Sequence, residues 1–286
     1  MHDTMQFMHL NEHPSTQRVF ARTPLGLVSH DVPPAHERIV GSNLLWGLAE
    51  AICTPAYWAC QAWMWETEAP DHYRLGATLD EELLACLLGG YGIPAEVGLA
   101  AYERLRAEAG TDHFSLDDPD RVFALLAEPL NVGGRPVRYR FAKQKSRYVS
   151  GCMKALRSID RTLPDRELRD QLIEMPGIGL KTASWIVRNW RGSDSVSILD
   201  VHILRAGRIL SIFPEDWDVQ RHYRDLETAF LEFAMAISVR PSILDSVMWM
   251  TMRQLPADMV RRFSAKDIIV PSALQTGKAF QLVLPL

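Results

Sequence analysis

The nine residues Met175-Pro176-Gly177-Ile178-Gly179-Leu180-Lys181-Thr182-Ala183 decide how this chain is read. A proline and two glycines separated by one apolar residue close a tight turn, whose backbone can take positive φ and approach another backbone closely. Before the turn, Leu168, Leu172 and Ile173 fall at i, i+4 and i+5 and give one helix an apolar face. After it, Ala183, Ile186, Val187 and Trp190 recur at i, i+3, i+4 and i+7 and predict a second helix from Leu180 to about Arg191. A helix-hairpin-helix over 166–191 follows. Because the turn runs straight into the second helix, free amides and the positive end of the helix dipole converge on one spot that suits a phosphate oxygen. Such a contact, through Pro176, Gly177, Ile178 and Gly179, holds duplex backbone without reading its sequence. A plain inter-helix turn uses the same residues, so the neighbours must decide between the two.

The apolar face of the second helix leaves Lys181, Ser184, Trp185 and Arg188 on its other side. Lys181 then sits in the first turn, where the dipole disfavours a cation by about 0.3–1 kcal/mol. That placement, with the head group buried against Trp185, depresses the amine pKa as a nucleophilic lysine requires. An ordinary surface lysine is the bland alternative. Downstream, Gly192 closes the helix and Ser193-Asp194-Ser195-Val196-Ser197-Ile198-Leu199-Asp200 leads into a third helix starting at Val201. Asp200 is placed as its N-cap, a structural role contributing about 1 kcal/mol, and Leu199 with Leu204 matches the hydrophobic staple offset. The second helix advances about 18 Å, and the residues from Gly192 to Asp200 can reach back roughly 30 Å. Asp200 can therefore return to Lys181, which places an amine and a carboxylate beside a phosphate-binding turn.

Working outward, the chain has 286 residues, 47% of them apolar, enough for one large or two modest domains. Disorder and fibrous repeats are excluded. With 31 basic and 35 acidic side chains the formal charge is −4, so attraction to nucleic acid would have to be local. One stretch supplies it. Residues 135–147 carry Arg135, Arg138, Arg140, Lys143, Lys145 and Arg147 and no acid, interleaved with Tyr139 and Phe141, with Tyr148 next. A solvated helix start with an aromatic core face would look the same.

Residues 1–40 hold five of the nine histidines and Pro14, Pro24, Pro33 and Pro34, and read as an irregular or partly extended arm without metal-ligand spacing. Helical pattern is expected from Gly41 onward, with Leu44 to Trp65 forming two helices that meet near Pro55. Leu83, Leu84, Leu87 and Leu88 form a stripe after Asp80, Glu81 and Glu82, and Gly89-Gly90 stops that helix. Further helices are predicted from Ala95 to Ala109 and after Asp118-Pro119. Strands are expected only as a short one in the arm and one at Phe280 to Leu284. The four cysteines, Cys53, Cys60, Cys86 and Cys152, have apolar surroundings and no C-x-x-C pair, which indicates buried free thiols and no metal site. No secretory signal and no membrane span are read, so a cytoplasmic, intracellular, bacterial-like protein is expected.

Met175-Pro176-Gly177-Ile178-Gly179-Leu180-Lys181-Thr182-Ala183 and Ile198-Leu199-Asp200-Val201-His202 together resemble the helix-hairpin-helix DNA glycosylase superfamily, specifically its 8-oxoguanine DNA glycosylase/AP lyase branch. In that branch an aspartate follows the lysine after about nineteen residues, as Asp200 follows Lys181 here. The resemblance implies an all-α fold of two helical subdomains flanking a DNA-binding cleft, with the hairpin at their junction. The expected division is 41–95 with 205–286, and 96–204. It implies Lys181 as the nucleophile, Asp200 as the catalytic carboxylate, and DNA contacts from the turn, His202, Arg140, Lys143 and Arg147. A surface histidine is the alternative for His202. All four cysteines precede Asp200, so the iron-sulfur cluster of the endonuclease III branch is not expected, and no cofactor is expected beyond an optional monovalent cation at the hairpin. The implied partner is double-stranded DNA with a damaged base, met by a monomer. Two other readings stay open: the same chemistry on another modified purine, with a role in bacterial defence as one setting for it, and a hairpin module that only holds DNA. Trp46, Trp58, Trp63, Trp65, Trp249 and Phe230 could each stack a flipped base or fill a core.

Overall fold

Residues 16–23, 26–67, 74–90, 92–109 and 116–256 are described by the structure, a computed structural model. Among them the chain forms two strands, β1 (Gln17–Thr23) and β2 (Gly26–Val32), then helices α1 (Pro55–Thr67), α2 (Leu79–Leu88), α3 (Ala95–Ala109) and α4 (Pro119–Ala127). Short strands β3 (Leu130–Val132) and β4 (Arg135–Val137) follow, then α5 (Ala142–Ala155), α6 (Asp165–Leu172), α7 (Leu180–Arg191), α8 (Val201–Ile209), α9 (Tyr223–Ala236) and α10 (Pro241–Gln254). None of these helices is long and apolar enough to cross a membrane.

Local chemistry accounts for the helix ends. Thr78 caps α2 by accepting from the Glu81 amide at 3.2 Å. Asp118 caps α4 by accepting from the Asp120 amide at 3.0 Å, with Pro119 at the first helical position. Gly192, at φ 62°, ends α7 in the left-handed conformation that glycine adopts without strain.

Two compact units result. One comprises Met1–Pro70, His202–Asp216 and Glu232–Leu286; the other comprises Asp71–Val201 and Trp217–Leu231. The second, central unit has a continuous apolar core from Leu79 to Val196, with α2 packed on α3, α5 and α7. Those contacts put α2 in the central unit, so the first boundary falls at Pro70 rather than at residue 95.

In the other unit, β1 and β2 form an antiparallel hairpin with Gln17 opposite Val32 and Thr23 opposite Gly26. Where one short strand is expected in the arm, residues 17–32 supply two, so this segment is a paired hairpin. Backbone pairing, together with Gln17 Nε2 donating to Pro33 O at 2.7 Å and Gly47 O at 2.8 Å, orders it. The two helices expected between Leu44 and Trp65 are in fact one. Residues 44–54 form turns, with Gly47 and Cys53 at positive φ, and Pro55 opens α1. Helix α1 packs on α10 and on the β-hairpin. The strand pair β3–β4 was not expected at all. The strand expected at Phe280 to Leu284 lies outside the described residues.

All four cysteines are buried and free. Burial pushes the Cys53, Cys60 and Cys152 thiols up to about 12, and Cys86 well above its ordinary value, which leaves them poor nucleophiles and poor metal ligands.

Candidate active site

The hairpin is built as the spacing predicts. Leu168 and Leu172 of α6 are buried, the Met175 amide donates to Leu172 O at 3.1 Å, and the Ile178 amide donates to Met175 O at 3.2 Å. Ile178 is buried and plugs the turn, while Pro176, Gly177 and Gly179 are exposed.

The two glycines do different jobs. Gly177 has φ +79°, and a Cβ there would stand 2.2 Å from the Tyr148 ring, so the turn folds only because that atom is missing. Gly151 of α5 makes the matching close approach on the other side, where a Cβ would meet Pro176 Cγ at 2.6 Å. Helix α5 therefore clamps the turn with Tyr148 and Gly151. Gly179 is open space: nothing lies within 4 Å of where its Cβ would be, and its φ of −101° suits any residue. Its place as N-cap of α7, with no side-chain cap, leaves the leading amides of that helix facing outward with the positive dipole end.

Lys181 projects from this helix start. Its Nζ lies 3.9 Å from Asp200 Oδ2, with the lysine side chain 42% exposed and the aspartate side chain 11%. The separation is that of an ion pair looser than a hydrogen bond. Asp200 immediately precedes α8, so both groups stand at helix starts within one unit. The opposed placement expected for α7 needs correcting in part. Ser184 and Arg188 are buried, because α7 packs against α2 as well as α6, and Arg188 Nη1 donates to Asn189 Oδ1 at 2.9 Å. Asn189 Nδ2 in turn donates to buried Glu82 Oε1 at 2.9 Å. Trp185 reaches Gly89 at the end of α2, and the Lys181 side chain keeps substantial exposure instead of full burial.

The basic stretch separates into two roles. Arg138, Arg140, Lys143 and Arg147 are exposed, with the Arg140 guanidinium 5.0 Å from the Phe141 ring centroid. Lys145 is structural: its Nζ donates to Leu87 O and, at 3.4 Å, to Gly89 O, at the carbonyl end of α2. Burial holds its amine below the ordinary value. Tyr139 is core, with its hydroxyl donating to Leu88 O at 2.7 Å. His202 lies in the other unit, its Nδ1 3.2 Å from Arg205 Nη2. Of the aromatic candidates, Trp46, Trp58 and Phe230 are buried, Trp63 stacks on His30 with centroids 5.1 Å apart, and Trp249, 38% exposed, lies under Arg253.

Sequence reasoning missed the brace under the Asp200 loop. The Tyr223 hydroxyl donates to Ser197 O at 2.7 Å and accepts from the Leu199 amide at 3.1 Å. Glu227 Oε1 accepts from the Ser197 amide at 3.0 Å, and its Oε2 pairs with Arg169 Nη1. Burial opposes the Arg169 charge, but Glu227 and Asp170 outweigh it and hold the guanidinium above its ordinary value.

The sequence around this hairpin matches a known sequence profile. The profile described as 8-oxoguanine DNA glycosylase covers residues 78–239, more than half of the chain. The chain belongs to the 8-oxoguanine DNA glycosylase family. Among curated relatives, the 8-oxoguanine DNA glycosylase/AP lyase of Metallosphaera sedula is 35% identical over 119 residues, which is 39% of this chain. The match spans 57% of that relative's length. Among solved structures, an endonuclease III trapped as a covalent intermediate with DNA has a TM-score of 0.51 at 18% identity, over 70% of this chain and 88% of its own. The 8-oxoguanine DNA glycosylase of Thermotoga maritima aligns at a TM-score of 0.46 and 24% identity, over 60% of this chain and 80% of its own. The endonuclease III likeness bears on the fold alone, the mostly helical architecture seen here. The profile covers the whole hairpin, Lys181 and Asp200, and leaves out the β1–β2 hairpin, α1 and α10.

Proposed function

We propose that this protein is a bifunctional DNA glycosylase/AP lyase that removes an oxidised purine, 8-oxoguanine, from double-stranded DNA. The observation that carries this reading is the 3.9 Å approach of Lys181 Nζ to Asp200 Oδ2 beside an uncapped helix start. The amides of Leu180 to Thr182 and the exposed Gly179 anchor a backbone phosphate. Arg140, Lys143 and Arg147 add local positive charge that the whole molecule, at −4, lacks.

The lesion must first leave the base stack, an extrusion costing a few kcal/mol that phosphate contacts offset. Only a deprotonated Lys181 amine offers a lone pair, which forms a bond to C1′ of the sugar as the C1′–base bond breaks and the base departs with its bonding electrons. Asp200 stabilises the cationic sugar character that develops and accepts or returns the lysine proton. Opening of the sugar ring gives an imine between Nζ and C1′. That imine withdraws electrons, a C2′ proton is lost, and the 3′ phosphate leaves by β-elimination. Exposure of the lysine side chain is what access to C1′ demands; only the short carboxylate is largely shielded.

The test is borohydride trapping of wild-type protein and Lys181→Gln on duplexes carrying 8-oxoguanine or an abasic site. Covalent adducts on both duplexes with wild type, and on neither with the variant, are expected. Adducts on abasic DNA alone would keep the lyase and assign another base. That second reading has one observation in its favour: the unit carrying β1, β2, α1 and α10 lies largely outside the matched residues. DNA binding without any adduct would overturn the proposal in favour of a hairpin that only holds DNA.

A further inference from the structure

Lys181 is fixed by the helix that carries it, whereas Asp200 closes a stretch of eight residues after Gly192 that has no regular structure. Something outside that stretch must set the distance between them. Tyr223 and Glu227 stand one helical turn apart on α9, and both reach the stretch from the same side. One phenolic oxygen spans it by holding Ser197 O at 2.7 Å and the Leu199 amide at 3.1 Å. One carboxylate oxygen of Glu227 holds the Ser197 amide at 3.0 Å, and the other is tied to Arg169 on α6, the first helix of the hairpin. Arg166, one turn before Arg169's position on α6, donates from Nε to Ser195 O at 3.1 Å. Tyr223, Glu227 and Arg169 are 3%, 4% and 2% exposed, so none of them is placed to meet a substrate.

A buried ion pair is a poor source of net stability, because desolvation offsets most of its attraction. Its value lies in geometry when every oxygen is used, as both Glu227 oxygens are here. The brace ties the hairpin that carries Lys181 to the backbone that carries Asp200. Resting on the lyase reading above, we infer that Tyr223 and Glu227 are positioning residues that set the Asp200 carboxylate against the Lys181 amine. The expected sensitivity is steep, since misplacing a reacting group by about 1 Å can lower a rate roughly 100-fold.

The experiment compares wild type, Tyr223→Phe and Glu227→Gln in single-turnover borohydride trapping on an abasic duplex across a range of pH. DNA half-saturation and thermal melting are measured on the same preparations. Tyr223→Phe removes one oxygen and keeps the ring, so it reports even if Glu227→Gln, which leaves buried Arg169 with Asp170 as its remaining acidic partner, does not fold. The expected result is a trapping rate about 10- to 100-fold lower, a displaced midpoint in the rate-pH curve, and half-saturation within about twofold, a free-energy change near 0.4 kcal/mol. Wild-type rate and pH midpoint in Tyr223→Phe, with or without a lower melting temperature, would overturn the inference. A wild type that binds DNA and gives no adduct would overturn the lyase reading and this inference with it, an outcome recognisable from the wild-type lane alone.

Discussion

Two hairpins in this chain reach opposite ends of what local sequence can specify. The helical one, α6 to α7, announces itself in nine residues: Leu168, Leu172, Ala183, Ile186 and Val187 are buried where periodicity puts them, Ile173 and Trp190 partly so, and Gly177 has a steric reason to be in the turn. The β-hairpin of β1 and β2 carries no such signature. Phe20 and Leu27 are 40% and 70% exposed, on the same outward face as Arg18 and Asp31, while the half-buried inward face begins with the polar Gln17. A helix turn is set by residues three or four apart, but a strand pair gains its stability from partners and from what it lies on.

This contrast can be broken or sharpened by substitution. The largest effect belongs to the helical hairpin: Lys181→Gln should lower strand scission on an abasic duplex by on the order of 1,000-fold or more while DNA binding persists. Retention of more than a tenth of wild-type scission would remove Lys181 from the chemistry. Next comes Gly177→Ala, which forces a Cβ into the Tyr148 ring at positive φ and should destabilise the central unit by about 2 kcal/mol or more, read as a lower denaturant midpoint. Gly179→Ala is its partner experiment. With open space at that Cβ, stability should change by less than about 1 kcal/mol, whereas duplex affinity should fall about tenfold if a phosphate approaches there. Equal stability losses at the two glycines would show that the turn has one role rather than two.

Effects in the β-hairpin should be smaller and depend on the face. Val32→Ala, at a buried site, should cost about 1–2 kcal/mol, and Leu27→Ala less than about 0.5 kcal/mol, in chemical denaturation. Similar costs would mean that the outward face is covered. The smallest effect is expected at the Arg18–Asp31 pair, where hydrogen bonds of 2.7 and 2.8 Å from the guanidinium hold the Asp31 carboxyl below its ordinary value. A depressed carboxylate contributes stability above its unfolded pKa and loses it as pH falls through the folded one. Acid titration of the melting temperature should therefore show a slightly shallower loss below about pH 4 in Asp31→Asn, and added salt should shrink the difference.

Much of the central unit was readable in advance. The bounds of α3 and α7, the stop at Gly89 and the start of α4 at Pro119 follow from spacing and end residues, and the stretch from Gly192 is long enough to bring Asp200 back to Lys181. Residues 41–54 were misread because an apolar run with one proline fits a kinked helix as well as a set of turns. The polar side chains of α7 were misread for a related reason: two helices flank it, so Ser184 and Arg188 are buried despite lying off the apolar stripe. Lys145 looked like its cationic neighbours, and only the position of the α2 carbonyls distinguishes it.

The sequence alone determined the hairpin, the identity of its nucleophile candidate and the family, because those depend on residues within a few turns of one another. Tertiary structure decided the brace formed by Arg169, Tyr223 and Glu227, the burial of Arg188, and the seat of the β-hairpin. Each of these joins groups tens of residues apart, and the energy that selects such pairs resides in desolvation and packing that exist only once the chain has folded.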